Sequence, residues 1–459
     1  MRMLGIFCAL SSAWAAVPAR DAAVKAIALV QESQKTWTQG CDSCHHQLLP
    51  PLAFRDAREH GIPVNEDLAH ASAARAFSLF ADLDRAAQYT HVIDPAIGDG
   101  YLLLGADAAG VRPSLTTAVY ARLLAARQKA DGHWDTLDVR PPQSYSMVTA
   151  TAIAARAIQI YSHPSVAAET KSSLDRARNW LASAHAKCTE EGVMRLFGLL
   201  WTGGGRELLG KLARALLAAQ QADGGWTSRA GLRSDAYSTG EALVALAQID
   251  PGRASHPAWQ RGIQFLIRTQ APDGSWRVAS RLRPPAPVSP PYIDTGYPAG
   301  HDQFISIMGA TWAIRALALS LPAVSHADPS ALSEAAPHAV EPWAETAIFG
   351  SAAQLRALLD KGLDANSATK SGGTTLLMLV QPDLEKTKLL VERGANVNAR
   401  ARTKYSALMV SAQYPGSAPA MQFLLDHGAE IQLPKGAGAP LFNASPMVLA
   451  AGAGAASRP

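Results

Sequence analysis

The chain has 459 residues, which is enough for two or three domains with their own cores. Hydrophobic residues make up 48% and charged residues 17% of the chain, a balance that excludes an intrinsically disordered protein and favours a helical globular one. The formal net charge of +4 is small for this length, and no basic stripe with interleaved aromatic residues is present, so no nucleic-acid partner is expected.

The N-terminus predicts export. Arg2 precedes an apolar stretch at 3–10, and Ala13-Trp14-Ala15 is a small-X-small cleavage site. We therefore expect a signal peptide over 1–15 and a periplasmic or secreted mature protein; the alternative is a buried first helix. No later stretch has the ~20 uninterrupted apolar residues of a membrane-spanning helix, so no transmembrane segment is expected.

The segment 16–64 contains the motif Cys41-Asp-Ser-Cys44-His45, which is the pattern by which haem c is attached. Two thiols at this spacing can form thioethers with the two vinyl groups of one haem, and the following imidazole can bind the iron as proximal ligand. Because this attachment takes place outside the cytoplasm, it agrees with the predicted export. His301, on a Gly/Pro-rich loop, is a speculative sixth ligand, and electron transfer is the expected use of a six-coordinate iron.

Two alternatives for the cysteines stay open. A structural zinc could use Cys41, Cys44 and His45 or His46, and would need a further ligand such as His60. A local Cys-X-X-Cys disulfide is the other alternative. Three cysteines remain after the predicted cleavage, and this odd number argues against a disulfide framework.

From 65 to 322 the sequence is a series of apolar helical segments separated by Gly/Pro-rich turns, with Pro50-Pro51 expected to break the chain before them. No stretch alternates between apolar and polar residues, so strands are not expected. Helices are predicted over 21–37, 65–89, 96–108, 113–129, 145–161, 166–186, 190–201, 207–221, 237–249, 256–270 and 303–320.

A seven-residue pattern recurs three times in this region. Gln128-Lys-Ala-Asp-Gly-His-Trp134 is repeated at 220–226 and at 270–276 as Gln-X-X-Asp-Gly-X-Trp. The Asp-Gly pair ends a helix and turns the chain, the Gln amide can cap a neighbouring helix end, and the Trp can bury a large surface. We therefore predict a structural role for the pattern and expect no catalytic residue in it.

The pattern resembles the QW repeats of squalene–hopene cyclases and of protein prenyltransferase β subunits, over about 65–321. The resemblance implies an α/α toroid, in which six pairs of inner and outer helices surround a central cavity. The Asp-X-Asp-Asp acid motif of the cyclases is absent: the nearest string, Asp82-Leu-Asp84, continues with Arg85. The zinc ligands of the prenyltransferases cannot be placed either, because Cys188 has no convincing partners. A functional terpene cyclase is therefore not expected, and no catalytic residue is assigned.

Three loops that precede predicted inner helices should meet at one end of the toroid. Convergent polar groups over an apolar cavity are typical of a ligand site, so we predict a site there for a small apolar ligand or a partner. The alternative is that Asp235 and Asp302 cap helices. The candidate residues are Arg140, Tyr145, Arg233, Asp235, Tyr237, Asp294, Tyr297, His301 and Asp302.

After a linker predicted over 323–342, a second repeat begins. Gly362, Gly394 and Gly428 each follow a Leu-rich helix end, at spacings of 32 and 34 residues. This pattern resembles ankyrin repeats, which we assign to 343–459. The resemblance implies a protein partner; the alternative is a rigid extension packed against the toroid.

These patterns predict an all-α protein: an α/α toroid with a stack of ankyrin repeats. The leading functional hypothesis is an exported haem c protein whose toroid binds a ligand or partner. The alternative is a non-catalytic periplasmic scaffold, with a structural metal or a disulfide at the cysteines. An enzyme of the terpenoid-cyclase type is the least expected.

Overall fold

The computed structural model describes residues 4–36, 44–88, 94–136, 140–250, 252, 255–282, 294–324 and 340–431. Within these ranges the chain is helical, and its only β-type pairings are isolated bridges such as Arg140 with Ser144. No described helix has the length and apolar character needed to cross a bilayer. The all-α class is therefore confirmed.

Six of the described helices form an inner ring. Each packs against the next along the chain, and the last packs back against the first, so that the ring is closed. This closed ring confirms the predicted toroid. Its members are α2 (Pro50–Glu59), α5 (Pro95–Ala108), α7 (Met147–Tyr161), α9 (Thr189–Trp201), α11 (Ala236–Ile249) and α13 (Gln303–Ala318).

The outer helices pack against the inner ring through one face. The outer α8, for example, buries Ser173, Ala177 and Leu181 at a spacing of four residues, whereas α13 is buried along almost its whole length. The predicted helix 65–89 is divided into α3, a 3₁₀ turn at Ser78–Ala81, and α4. The described outer helices are α1 (Leu4–Thr36), α3 (Glu66–Ala76) with α4 (Leu83–Gln88), α6 (Leu115–Ala126), α8 (Ala167–Ser183), α10 (Arg206–Ala218) and α12 (Pro257–Thr269).

Two helices that precede residue 65 also belong to the ring: α1 packs against α13 and α12, and α2 packs against α13 and α5. The expectation that Pro50-Pro51 breaks the chain is wrong: both prolines lie in the first turn of α2, where a fixed φ suits a helix and no N–H is needed. Arg315 of α13 donates from Nε to Asp56 Oδ2 of α2 at 2.6 Å, and this buried ion pair joins the two ends of the ring. The helix α1 begins before Ala15, and cleavage there stays a prediction.

The Trp of each repeat is buried against the outer helix that precedes it. The indole Nε1 groups of Trp134, Trp226 and Trp276 donate to backbone carbonyls ten residues earlier at 2.7, 2.8 and 2.9 Å. The Gln of each repeat donates both to its own turn and to the next outer helix; Gln270 reaches the carbonyl of Ala22 in α1 at 2.8 Å. The repeat therefore joins neighbouring helix pairs, as its predicted structural role requires.

The ankyrin repeats follow the toroid as short pairs of helices. Gly362, Gly394 and Gly428 end the second helices with φ of 102°, 87° and 85°, a left-handed conformation that favours glycine. Of the range 343–459 assigned to these repeats, residues 432–459 lie outside the described residues. The pairs are α14 (Ala344–Phe349) with α15 (Ala352–Asp360), α16 (Leu376–Leu379) with α17 (Leu384–Glu392), and α18 (Ala407–Ser411) with α19 (Ala418–Asp426).

The ankyrin stack is docked on the toroid through its first helices and hairpin loops. The buried carboxylate of Asp84, on α4, accepts hydrogen bonds from the hydroxyls of Thr369, Ser371 and Thr374. Arg127 donates from Nη2 to the carbonyl of Gln413 at 3.3 Å. The helices α16 and α18 are buried along their whole length, whereas α15 and α17 keep an exposed face. The loop at 369–374 and the turn after α18 therefore contact the chain's own toroid.

Candidate functional site

The cysteine motif is only partly described. Cys41 lies outside the described residues, as do the side chains of Cys44 and His45, so their predicted ligand roles stay predictions. The turn Cys44–Leu48 packs against α1, α2, α3, α5 and α13. The buried ring of His46 meets Phe304 edge to face, with 5.9 Å between the centroids.

The remaining candidate ligands lie apart from each other. His60 is buried at the end of α2, with Nδ1 2.8 Å from the carbonyl of Asp56. His301 is exposed on the 3₁₀ turn Gly300–Asp302. No cluster of three or more His, Cys, Asp or Glu that could hold a metal is found within the described ranges.

The residues predicted at the mouth differ in their exposure and in their contacts. Arg233 and Asp294 are exposed, and Arg140 is half-buried. Asp235 caps α11 by accepting from Ser238 N at 2.7 Å, so the capping alternative is confirmed there.

The capping alternative is wrong for Asp302. Its two carboxylate oxygens accept from Arg277 Nε and Ser280 N, each at 2.9 Å, and so anchor the preceding loop rather than α13.

A buried acidic cluster that was not predicted from the sequence contacts Tyr237 and lies near Tyr145. The hydroxyl of Tyr237 donates to Glu190 Oε2 at 3.0 Å, and Thr149 Oγ1 donates to Glu190 Oε1 at 3.3 Å. Glu241 hydrogen-bonds to Glu190, and neither glutamate has any exposed surface. Neighbouring this cluster, the hydroxyl of Tyr145 is 3.0 Å from the sulfur of Cys188.

Glu190 and Glu241 can share a hydrogen bond only if one of them is protonated. Within the described ranges the oxygens of Glu241 meet no N–H or O–H donor, whereas Glu190 accepts two hydroxyls. Burial, and then the charge of Glu190, raises the pKa of Glu241 well above its ordinary value. These observations favour Glu241 as the protonated partner, which donates the shared hydrogen bond to Glu190. Burial also raises the pKa of the nearby Asp235 to about 6.

A cavity lies at the opposite end of the inner ring from the predicted mouth. Its volume is about 150 Å³, and residues from all six inner helices line it. The cavity is therefore near the C-terminal ends of the inner helices and not beside the loops that the sequence indicated. The lining includes Tyr101, Leu104, Ile153, Ile160, Met194, Phe197, Trp201 and Trp312.

Three arginines join this apolar lining. Arg55 pairs with Asp107 at 3.0 Å, and Arg315 pairs with Asp56 at 2.6 Å. Arg156 donates to the side-chain oxygen of Gln159 at 2.7 Å, and no carboxylate pairs with it within the described ranges. Burial lowers the pKa of Arg156, which shows that its charge is partly removed from water.

The acidic cluster lies one helical turn beyond the cavity. Met194 lines the cavity, and Glu190 precedes it by four residues on the same face of α9. Thr149 precedes the lining residue Ile153 by the same interval on α7. The toroid axis therefore passes from arginines through an apolar section to a buried carboxyl pair.

Comparison with known proteins supports the ankyrin assignment. The family described as "Ankyrin repeats" matches residues 344–435 in three copies. Repeats of this family support protein–protein interaction. No match was found among curated proteins.

Solved structures resemble the helical part of the chain. A protein from Actinoplanes is 18% identical, covering 66% of this chain and 99% of its own, with a TM-score of 0.46. A variant of the type II terpene cyclase MstE from Scytonema, bound to its substrate geranylgeranyl dihydroxybenzoate, is 16% identical. It covers 67% of this chain and 99% of its own, with a TM-score of 0.47.

Proposed function

We propose that this protein is a ligand-binding protein, in which the toroid takes up a small, largely apolar molecule in the cavity at its axis. The observation that carries the proposal is the cavity itself: about 150 Å³, lined by side chains from all six inner helices, with aromatic and aliphatic groups on most of its wall. Concave, mostly apolar sites with a few placed polar groups are the usual form of small-molecule sites.

Titration of the full chain with octanol, followed by calorimetry, tests this proposal. Saturable binding is expected. Ile160→Trp should abolish this binding, because it replaces an aliphatic side chain at the partly exposed rim of the cavity with a larger indole ring. Leu232→Trp is the matched control, because Leu232 is 41% exposed and lies outside the cavity. Circular dichroism checks that both variants keep the helical content. Equal octanol binding by the wild type and Ile160→Trp would contradict the proposal.

We propose covalent haem c at Cys41 and Cys44, with His45 as proximal ligand, as a second function. Its support is the Cys-X-X-Cys-His spacing together with the predicted export signal. Bound there, the haem would supply one-electron chemistry. Expression with a cytochrome c maturation system, followed by an absorption spectrum, tests the proposal: a Soret band that resists extraction is expected, and a colourless protein would overturn it.

A further inference from the structure

We infer that the ligand of the axial cavity carries a single oxyanion headgroup on its apolar body, and that Arg156 binds this headgroup. The inference rests on the proposed function, because it concerns the same cavity. It adds the chemical class of the ligand, an amphiphile with a carboxylate or phosphate group, and its orientation.

The first argument is the charge of the lining. The arginines Arg55 and Arg315 are each neutralised by a carboxylate at 3.0 and 2.6 Å. Arg156 has an amide oxygen as its side-chain acceptor, so the described lining has one cation more than the carboxylates that face it. The carboxylate whose charge acts on Arg156 is that of Asp107, which is already paired with Arg55. A partly desolvated guanidinium that only shares such a carboxylate favours a further anion, and its planar donors suit two oxygens of a carboxylate or phosphate.

The second argument is the way in which Arg156 is held. Its guanidinium carbon lies 5.9 Å from the centre of the Trp201 ring, and the partner Gln159 donates to the carbonyl of Trp201 at 2.9 Å. The side chain is therefore positioned between α7 and the end of α9 before any ligand arrives. Such preorganisation lowers the entropic cost of binding an anion.

The third argument is the polarity along the axis. Between Arg156 and the acidic cluster the lining is apolar and includes Ile153, Met194 and Phe197. Beyond them lies the buried Glu190–Glu241 pair, in which Glu190 accepts two hydroxyl groups as a carboxylate does and would repel an anionic headgroup. The headgroup is therefore directed to the arginine end, and the apolar tail points toward the acidic cluster. Along α7 the lining extends over the eight residues from Ile153 to Ile160, which span ~10 Å, the length of the cavity on this wall.

Three probes with the same eight-carbon tail test the inference on the full chain: octanol, octanoate and octyl phosphate. We expect both anions to bind ~10-fold to 100-fold more tightly than octanol, the range of a charge-assisted hydrogen bond. Arg156→Gln should remove this preference, so that both anions bind no more tightly to the variant than octanol does. Arg206→Gln is the control, because Arg206 is exposed at the start of α10.

The outcomes separate the inference from the proposed function. If octanol binds as tightly as both anions, the inference is overturned while the cavity remains a ligand site. If no probe binds, the proposed function fails. A preference for octyl phosphate alone assigns a phosphate headgroup, and one for octanoate alone assigns a carboxylate. If Arg156→Gln does not fold, Arg156→Lys is used. Lysine keeps the charge but lacks the planar pair of donors, so the preference for the anions should fall, and a lysine variant with the wild-type preference for both anions overturns the inference.

Discussion

Asp56→Ala should lower the free energy of unfolding more than the removal of an exposed charge does, because Asp56 helps to close the inner ring. The carboxylate of Asp56 accepts from Arg315 Nε at 2.6 Å, and both side chains are about nine-tenths buried, at 9% and 10% exposed. Removing the carboxylate leaves a buried guanidinium without its counter-charge, which costs about 3–5 kcal/mol of unfolding free energy. The lost contact joins the first and last inner helices, since Asp56 and Arg315 are 259 residues apart in the sequence.

Urea unfolding, followed by both tryptophan fluorescence and circular dichroism, measures this loss. The control is Asp175→Ala, which removes two solvent-exposed ion pairs on α8 and should change the free energy of unfolding far less than Asp56→Ala does. The double variant Asp56→Leu with Arg315→Met should recover much of the stability, since it leaves no unpaired charge. A loss below about 1 kcal/mol for Asp56→Ala would refute this reasoning, as would a double variant no more stable than Asp56→Ala alone.

Three further predictions concern the acidic cluster, the domain contact and the cysteine motif. The raised pKa of Glu241 means that wild-type stability is fully present below its ordinary pKa of about 4.3 and decreases as the pH rises toward the raised value. Glu241→Gln should reduce this decrease, although Glu190 and Asp235, whose pKa values burial also raises, still titrate. The variant should be more stable by about 1–3 kcal/mol at pH 7, and equal pH profiles in thermal unfolding would contradict it. Asp84→Ala should leave three hydroxyls without their acceptor and increase hydrogen exchange at 369–374 while the second ankyrin helices stay protected; unchanged exchange would argue against a docked stack. Mass spectrometry of protein made with cytochrome c maturation should show an added haem that is lost when Cys41 and Cys44 are replaced by serine, and an unmodified wild-type mass would rule the attachment out.

The architecture could be predicted from the sequence because each repeat has local requirements that recur in every copy. The Gln-X-X-Asp-Gly-X-Trp turns each satisfy their hydrogen bonds within one helix pair and its neighbour, as Trp226 and Gln220 do. The glycines of the ankyrin repeats are needed for a left-handed backbone, so their period is visible without a structure. Such local requirements can be read from spacing alone.

The candidate site was predicted only in part, because it depends on how distant helices meet. Tyr145 and Tyr237 were expected at a ligand-binding mouth, but they contact Cys188 and Glu190 in a buried cluster. The cavity lies at the other end of the ring, and only the closure of α2 against α13 brings its arginines together.

A usable signal was nevertheless present in the inner helices. Arg156, Glu241 and Arg315 are charged residues inside long apolar helices that bury nearly every neighbour. A charge in such a position has to be paired, protonated or directed at a cavity, and the three residues illustrate these outcomes. Which outcome applies to each residue could not be read from the sequence, because the partners come from other helices.

A crystal structure of the full chain with octyl phosphate would test the central claim most directly. We predict the phosphate within hydrogen-bonding distance of the Arg156 guanidinium, with the alkyl chain between Phe197 and Trp312. Electron density for the ligand beside Tyr145, or in the cleft between the toroid and the ankyrin repeats, would contradict the assignment of the axial cavity as the binding site.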